Sequence, residues 1–199
     1  NYQGKLDQVR IYNYARTPAQ IAWDYNRGKP IAHYKLDETD DSTAHDSSGN
    51  NLHSTLGSGD SSPTWTTGKL NNSSSFDGND FISIGSTLSN IQSVSFWAKP
   101  NSTTQYLLQL NSSNYVQLSS GVVSVTGFST PTVYIDGTVS TSFPDTNWHH
   151  ITIVGSTIFT ANQTIFGKIS TNFYSGLLDD VRIYNYALTD KQVQTMSLS

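Results

Sequence analysis

Short apolar segments, most of them alternating with polar residues, punctuate the chain at 31–36, 81–84, 94–99, 106–110, 115–118, 122–128, 133–135, 151–154 and 177–184. A period of two is what a half-buried β-strand requires, because successive side chains point to opposite faces. The gaps hold Asp46-Ser-Ser-Gly-Asn50, Asp77-Gly78, Ser120-Gly121 and Asp136-Gly137, residue types that accept left-handed turn conformations. Nine or more short strands at this spacing predict an all-β, antiparallel sandwich.

A helical period replaces the alternation in two places. Thr17-Pro18 opens one such stretch, with Gln20 three residues after the cap and Gly28 closing it; Thr189 with Gln192 opens the other. Both follow the same motif. Tyr2 to Ile21 matches residues 174–193 at 13 of 20 positions with a constant offset of 172. The economical reading is a tandem array, with residues 1–29 the last strand and helix of a preceding homologous repeat and 30–199 the next domain. A strand over 5–12 would expose Leu6, Val9 and Ile11 together with an unpaired backbone edge. Docking within the chain through the 27–30 link, with Ile21 and Trp23 covering apolar surface, is the expected resolution, and addition or exchange of the strand into a neighbouring molecule is the alternative.

Composition narrows the function. The chain of 199 residues carries 11 Lys+Arg against 15 Asp+Glu, a formal charge of −4, with no positive surplus to neutralise a phosphate backbone, so nucleic acid is not an expected partner. No apolar run approaches the 18 or so residues of a membrane span, and membrane insertion is not expected either. Ser, Thr and Asn number 29, 23 and 16, which suits strands and turns rather than helices. Cysteine is absent, removing thiol catalysis and disulfides. Glu38 is the one glutamate, so a pair of catalytic glutamates is excluded by count.

In order along the chain stand Ile31-Ala-His-Tyr-Lys-Leu-Asp-Glu38, Asp46-Ser-Ser-Gly-Asn50, Phe76-Asp-Gly78, Val94-Ser-Phe-Trp-Ala98, Tyr134-Ile-Asp-Gly137, Asn147-Trp-His-His-Ile151 and Gly176-Leu-Leu-Asp-Asp-Val-Arg-Ile-Tyr-Asn-Tyr-Ala-Leu188. This ordered set resembles the LamG-like jelly-roll domains of the concanavalin A-like lectin/glucanase superfamily, over residues 30–190. The resemblance implies two curved antiparallel sheets with first and last strands adjacent, often a structural calcium, and use as a carbohydrate-binding or adhesion module in larger secreted or cell-surface proteins. A glycan or cell-surface protein, and neighbouring repeats, are the partners this implies; the location is extracellular.

Calcium takes six to eight oxygens, and 14 aspartates concentrate at strand ends and turns. Asp37 ends the first strand and Asp179 and Asp180 open the last, neighbours in a jelly roll; Asp77 lies in the Phe-Asp-Gly turn. These four are the candidate ligands, although aspartates at turns also serve simply to bond backbone amides, and the upstream motif has Gln8 at the Asp180 position.

Sugar binding needs aromatic faces beside hydrogen-bonding side chains. Strand parity sets Tyr115 and Gln117 opposite Val116 and Leu118, Tyr134 opposite Val133 and Ile135, and Trp97 opposite Phe96 and Ala98. Trp97, Tyr115, Gln117 and Tyr134 are the candidate ligand-binding residues. Catalysis is not expected: superfamily glucanases resemble a Glu-x-Asp-x-x-Glu strand that this sequence cannot supply, and the pairs Asp179-Asp180 and His149-His150 each divide between opposite faces. A structural spacer without a glycan ligand is the competing reading, and a glycoside-active enzyme the remote one.

Overall fold

The computed structural model describes residues 3–6, 9–17, 20, 21, 24 and 28–198. Two antiparallel sheets pack as a sandwich, which is the predicted all-β class. The eight-stranded sheet runs β12 (Thr138–Val139), β11 (Thr132–Ile135), β13 (His149–Ala161), β7 (Leu88–Pro100), β17 (Ser175–Tyr184), β5 (Asn72–Asp77) and β4 (Thr64–Thr67), with β1 (Ala32–Tyr34) also laid against β17. The seven-stranded sheet runs β10 (Val122–Thr126), β9 (Asn114–Ser119), β8 (Gln105–Asn111), β14 (Thr164–Phe166), β6 (Ile82–Ile84), β3 (Ser54–Leu56) and β2 (Thr43–Ala44). A small hairpin, β15 (Lys168–Ile169) with β16 (Asn172–Phe173), follows β14.

Chain order and pairing differ in the way a jelly roll requires. β1 pairs with β17, Ala32 opposite Ile183 and Tyr34 opposite Val181, so the first and last strands of the domain are neighbours. Between the sheets, Phe96, Leu178 and Val181 of one meet Leu107, Leu108 and Phe166 of the other. All six are buried, and fully burying such a side chain stabilises by about 1.5–3 kcal/mol. The turn dipeptides act as their composition predicts: Ser120-Gly121 and Asp136-Gly137 hold both residues at positive φ and close two-residue hairpins.

Three elements are longer or shorter than alternation indicates. β7 and β13 each extend over 13 residues, their pairing interrupted by register shifts near Phe159 that a periodic pattern cannot span. The 31–36 strand stops at Tyr34, with Leu36 at φ 59°. Helix α1 (Asp190–Ser197) starts in the expected capping box: the Thr189 hydroxyl accepts from the Gln192 amide, and the Gln192 side chain accepts from the Thr189 amide. Its Val193 closes a second apolar cluster with Tyr134, Tyr184, Tyr186 and Leu188 on the outer side of the eight-stranded sheet.

Residues 3–17 depart from expectation. None of the described residues there is in a strand, and Leu6, Val9 and Ile11 are 73, 70 and 95 % exposed. Ile21 is exposed as well, so it does not cover the domain; Trp23 lies outside the described residues. The segment is instead organised by Asp24, which pairs with Arg10 at 3.1 Å and Arg16 at 2.8 Å and accepts from the Tyr12 hydroxyl at 3.0 Å. These polar contacts leave the apolar row facing outward.

Candidate ligand groove on the seven-stranded sheet

Strand β9 buries Val116 and Leu118 in the sandwich and turns Tyr115 and Gln117 outward, as its alternation dictates. Pairing with β8 sets Tyr106 opposite Gln117 and Gln109 opposite Tyr115. A register shift between Tyr106 and Leu108 makes this possible, because an extra residue restores Gln109 to the face that Tyr106 occupies. On the other side β14 sets Ile165 opposite Gln109. The result is a groove of about 570 Å³ across β9, β8 and β14, walled by the β15–β16 hairpin, with the partly exposed rings of Tyr106 and Tyr115 among the amides of Gln109, Gln117 and Gln163.

One of the groove's polar side chains, Gln109, is held by its neighbours in the lining. The Gln109 side-chain amide donates to the Gln163 side-chain oxygen Oε1 at 3.1 Å, and its own oxygen accepts from the Ser170 backbone amide at 2.9 Å. These bonds fix the amide plane and tie the hairpin to the sheet. Lys168 supplies a positive charge at the hairpin end, its Nζ 4.8 Å from the Phe173 ring centre and 5.0 Å from that of Phe81. Rings with neutral amides beside them fit a neutral polyhydroxylated ligand: C–H faces stack on the rings and hydroxyls bond the amides.

Tyr115 and Gln117 thus lie together in the groove, whereas the candidates Trp97 and Tyr134 do not, because both are covered. Trp97 is 3 % exposed; its ring lies 5.1 Å from that of His150, and the Lys69 ammonium covers it at 4.5 Å. Tyr134 is 5 % exposed beneath α1 and donates its hydroxyl proton to Asp190 at 2.7 Å. Burial, with help from Asp190, pushes its phenol up to about 12. Both sit on the eight-stranded sheet, whose side chains opposite the core are covered at these two positions. Parity finds the face opposite the core but does not show whether something else covers it. Tyr106, Gln163 and Lys168 went unmarked because they converge only through the strand order β9-β8-β14 and the shift within β8.

The four candidate calcium ligands do not form one cluster. Among the described residues no group of three or more His, Asp or Glu side chains converges on one point. Asp180, at φ 50° in a bulge, is bound by Arg182 at 2.7 Å and His33 at 2.7 Å. Asp77 sits in its turn, its amide donating to Asp80. Asp37 and Asp179 meet at the 68–72 loop instead. Asp37 Oδ1 accepts from the Asn72 amide and Asp179 Oδ2 from the Leu70 amide at 2.8 Å. Asp179 Oδ1 is fully buried with no protein partner, and burial, reinforced by Asp180 and Asp37, pushes the carboxyl up to about 7. An orphaned buried carboxylate oxygen beside a second carboxylate is the chemistry a hard cation would satisfy, so the fit rests on Asp37 and Asp179 alone.

No family model matches the sequence, and no curated protein matches it by sequence. Solved structures match the fold. Domain 4 of AbnA, a GH43 extracellular arabinanase from Geobacillus stearothermophilus, in complex with arabinotriose, superposes with a TM-score of 0.55 at 22 % identity, over 85 % of this chain and 98 % of that one. The binding domain of Paraclostridial Mosquitocidal Protein 1 gives 0.58 at 14 % identity, over 86 % of this chain and 52 % of that one. The botulinum neurotoxin type G receptor binding domain gives 0.56 at 14 % identity, over 85 % and 51 %. The class defined is therefore the jelly-roll-like β-sandwich; the chain spans about half the length of the two toxin domains.

Proposed function

We propose that the chain is a non-catalytic carbohydrate-binding module of the LamG-like jelly-roll type, part of a larger secreted or cell-surface protein. One observation carries the reading: two cross-strand pairs, Tyr106–Gln117 and Gln109–Tyr115, put rings and amides side by side in one groove. The similarity to an arabinanase domain solved with arabinotriose supports it. A spacer repeat has no need of such a groove, although the burial of Trp97 and Tyr134 is what that alternative expects. The test is a glycan array, arabino-oligosaccharides included, probed with the chain and with Tyr115→Ala. Retention by the parent and its loss in a variant of unchanged melting temperature supports the module; no retention of any glycan by the parent favours the spacer.

The orphaned Asp179 Oδ1 favours a second, compatible proposal, that calcium is held by Asp37 and Asp179. Its contribution would be structural, neutralising two carboxylates at the 68–72 loop. Calcium that fails to raise the melting temperature of chelator-treated protein would remove this assignment.

A further inference from the structure

The groove on the seven-stranded sheet carries a charge that its rings and amides do not account for. No Asp or Glu lines it, and Lys168 is its one charged residue. Lys168 is also the single Lys or Arg between Lys99 and Arg182, so a long stretch otherwise free of cations places its one cation at this wall. The backbone there is pinned on both sides. The Gly167 amide donates to the Leu107 carbonyl at 2.9 Å, and the Ser170 amide donates to the Gln109 side-chain oxygen at 2.9 Å, which ties β15 to β8. Pairing within the hairpin sets Phe173 opposite Lys168, and the half-buried side chain carries its ammonium over the rings of both Phe173 and Phe81. Aromatic faces hold a cation in place without cancelling its charge. The ammonium makes no salt bridge and no hydrogen bond with the described residues. Asp80, the acidic residue adjoining Phe81, is buried and accepts from the Asp77 amide at 2.8 Å instead.

We infer that the groove takes an acidic saccharide, whose chain lies along Tyr106, Tyr115 and the amides and whose anionic group, a uronic acid carboxylate or a sulfate ester, meets the Lys168 ammonium. This ligand class rests on the carbohydrate-binding reading above and narrows it. The two rings have already taken part of the ammonium's water and fixed its position, so a charge-assisted hydrogen bond to an arriving anion forms with less desolvation and less ordering than at a free surface lysine. With no carboxylate in the lining, nothing in the groove repels that anion. The same ring contacts brace the hairpin, and the test therefore reads the charge separately from the brace.

A glycan array carrying each saccharide backbone in neutral, uronic acid and sulfated forms is probed with the full chain. The retained forms are then titrated by calorimetry against the parent, Lys168→Gln and Lys168→Arg. The parent is expected to bind an acidic form with about 10-fold or more higher affinity than its neutral counterpart, as one hydrogen bond to a charged group provides. Either anion supports the inference, and the larger ratio identifies which. Lys168→Gln should bring the ratio close to one, whereas Lys168→Arg, which keeps the charge and still stacks on rings, should preserve most of it. Raising salt from about 0.02 to 0.5 M should shrink the ratio in the parent itself, a readout that needs no variant and that a brace alone would not move. A parent that binds neutral and acidic forms alike, a ratio indifferent to salt, or a Lys168→Gln variant that keeps the full preference overturns the inference and leaves carbohydrate binding standing. Retention of no glycan in any form overturns both.

Discussion

Asp179→Asn removes a buried charge while keeping the shape of the side chain. Asp179 is fully buried; its carboxyl is raised from 3.8 to about 7 by desolvation first and by Asp180 and Asp37 after it. Below about pH 4, folded and unfolded chains both hold the proton and the group is neutral in its effect on stability. Between about pH 4 and 7 the unfolded chain releases a proton that the folded chain retains, so stability falls as pH rises; above about 7 the loss is complete and constant. A rise of about three units corresponds to about 4 kcal/mol, of which about 3 kcal/mol develops between pH 5 and 8. In chelator-treated protein, Asp179→Asn should abolish this pH dependence and raise the melting temperature at pH 8 by about 8 °C or more, at roughly 2–4 °C per kcal/mol for a chain of this size. Differential scanning calorimetry at the two pH values measures it. Calcium added at pH 8 should stabilise the parent and leave the variant unmoved. A variant less stable than the parent at pH 8 under chelation, or one with the same pH profile, refutes the argument that Asp179 is an uncompensated buried carboxyl.

Three further outcomes follow from the fold. Thr189→Ala removes the capping hydroxyl of α1 and should lower stability by about 1 kcal/mol, read as a melting shift of about 2–4 °C. Gly167→Ala places a Cβ 2.4 Å from the buried Phe76 ring at a residue with φ +79°, and should lower stability by about 2 kcal/mol or more in urea titration. Burial lowers the affinity of His149 for its proton, but the hydrogen bonds and charges of Asp136 and Asp145, 2.6 and 3.0 Å away, outweigh it and raise the net pKa. The raised group adds stability below about pH 6.5 that is lost as pH passes the folded value, and His149→Gln should flatten that part of the pH–stability curve.

Much of the sandwich was legible in the sequence because its strands have one covered face and its hairpins use residues that tolerate positive φ. The β9 alternation and the Ser120-Gly121 and Asp136-Gly137 turns are the clearest cases. What local pattern could not convey is what lies on the far side of a strand. Trp97 and Tyr134 alternate correctly with their neighbours, yet Lys69 covers one and α1 the other. Adjacent aspartates were likewise ambiguous: the bulge at Asp180 sends it to Arg182 and His33 while Asp179 turns to Leu70. The groove itself was half legible, since Tyr115 and Gln117 belong to one strand and the rest of its lining comes from strands far away in the chain.

The central claim is that a glycan lies along the groove on the seven-stranded sheet. A titration of isotopically labelled chain with a retained oligosaccharide, followed by NMR, tests it residue by residue. Saturable shifts should gather at Tyr106, Gln109, Tyr115, Gln117 and Gln163, and Tyr115→Ala should weaken the affinity about 10-fold or more, as the loss of a stacked ring of roughly 1.4 kcal/mol or more requires. Shifts that gather around Trp97 and Tyr134 instead, or a Tyr115→Ala variant that binds as the parent does, would contradict the account.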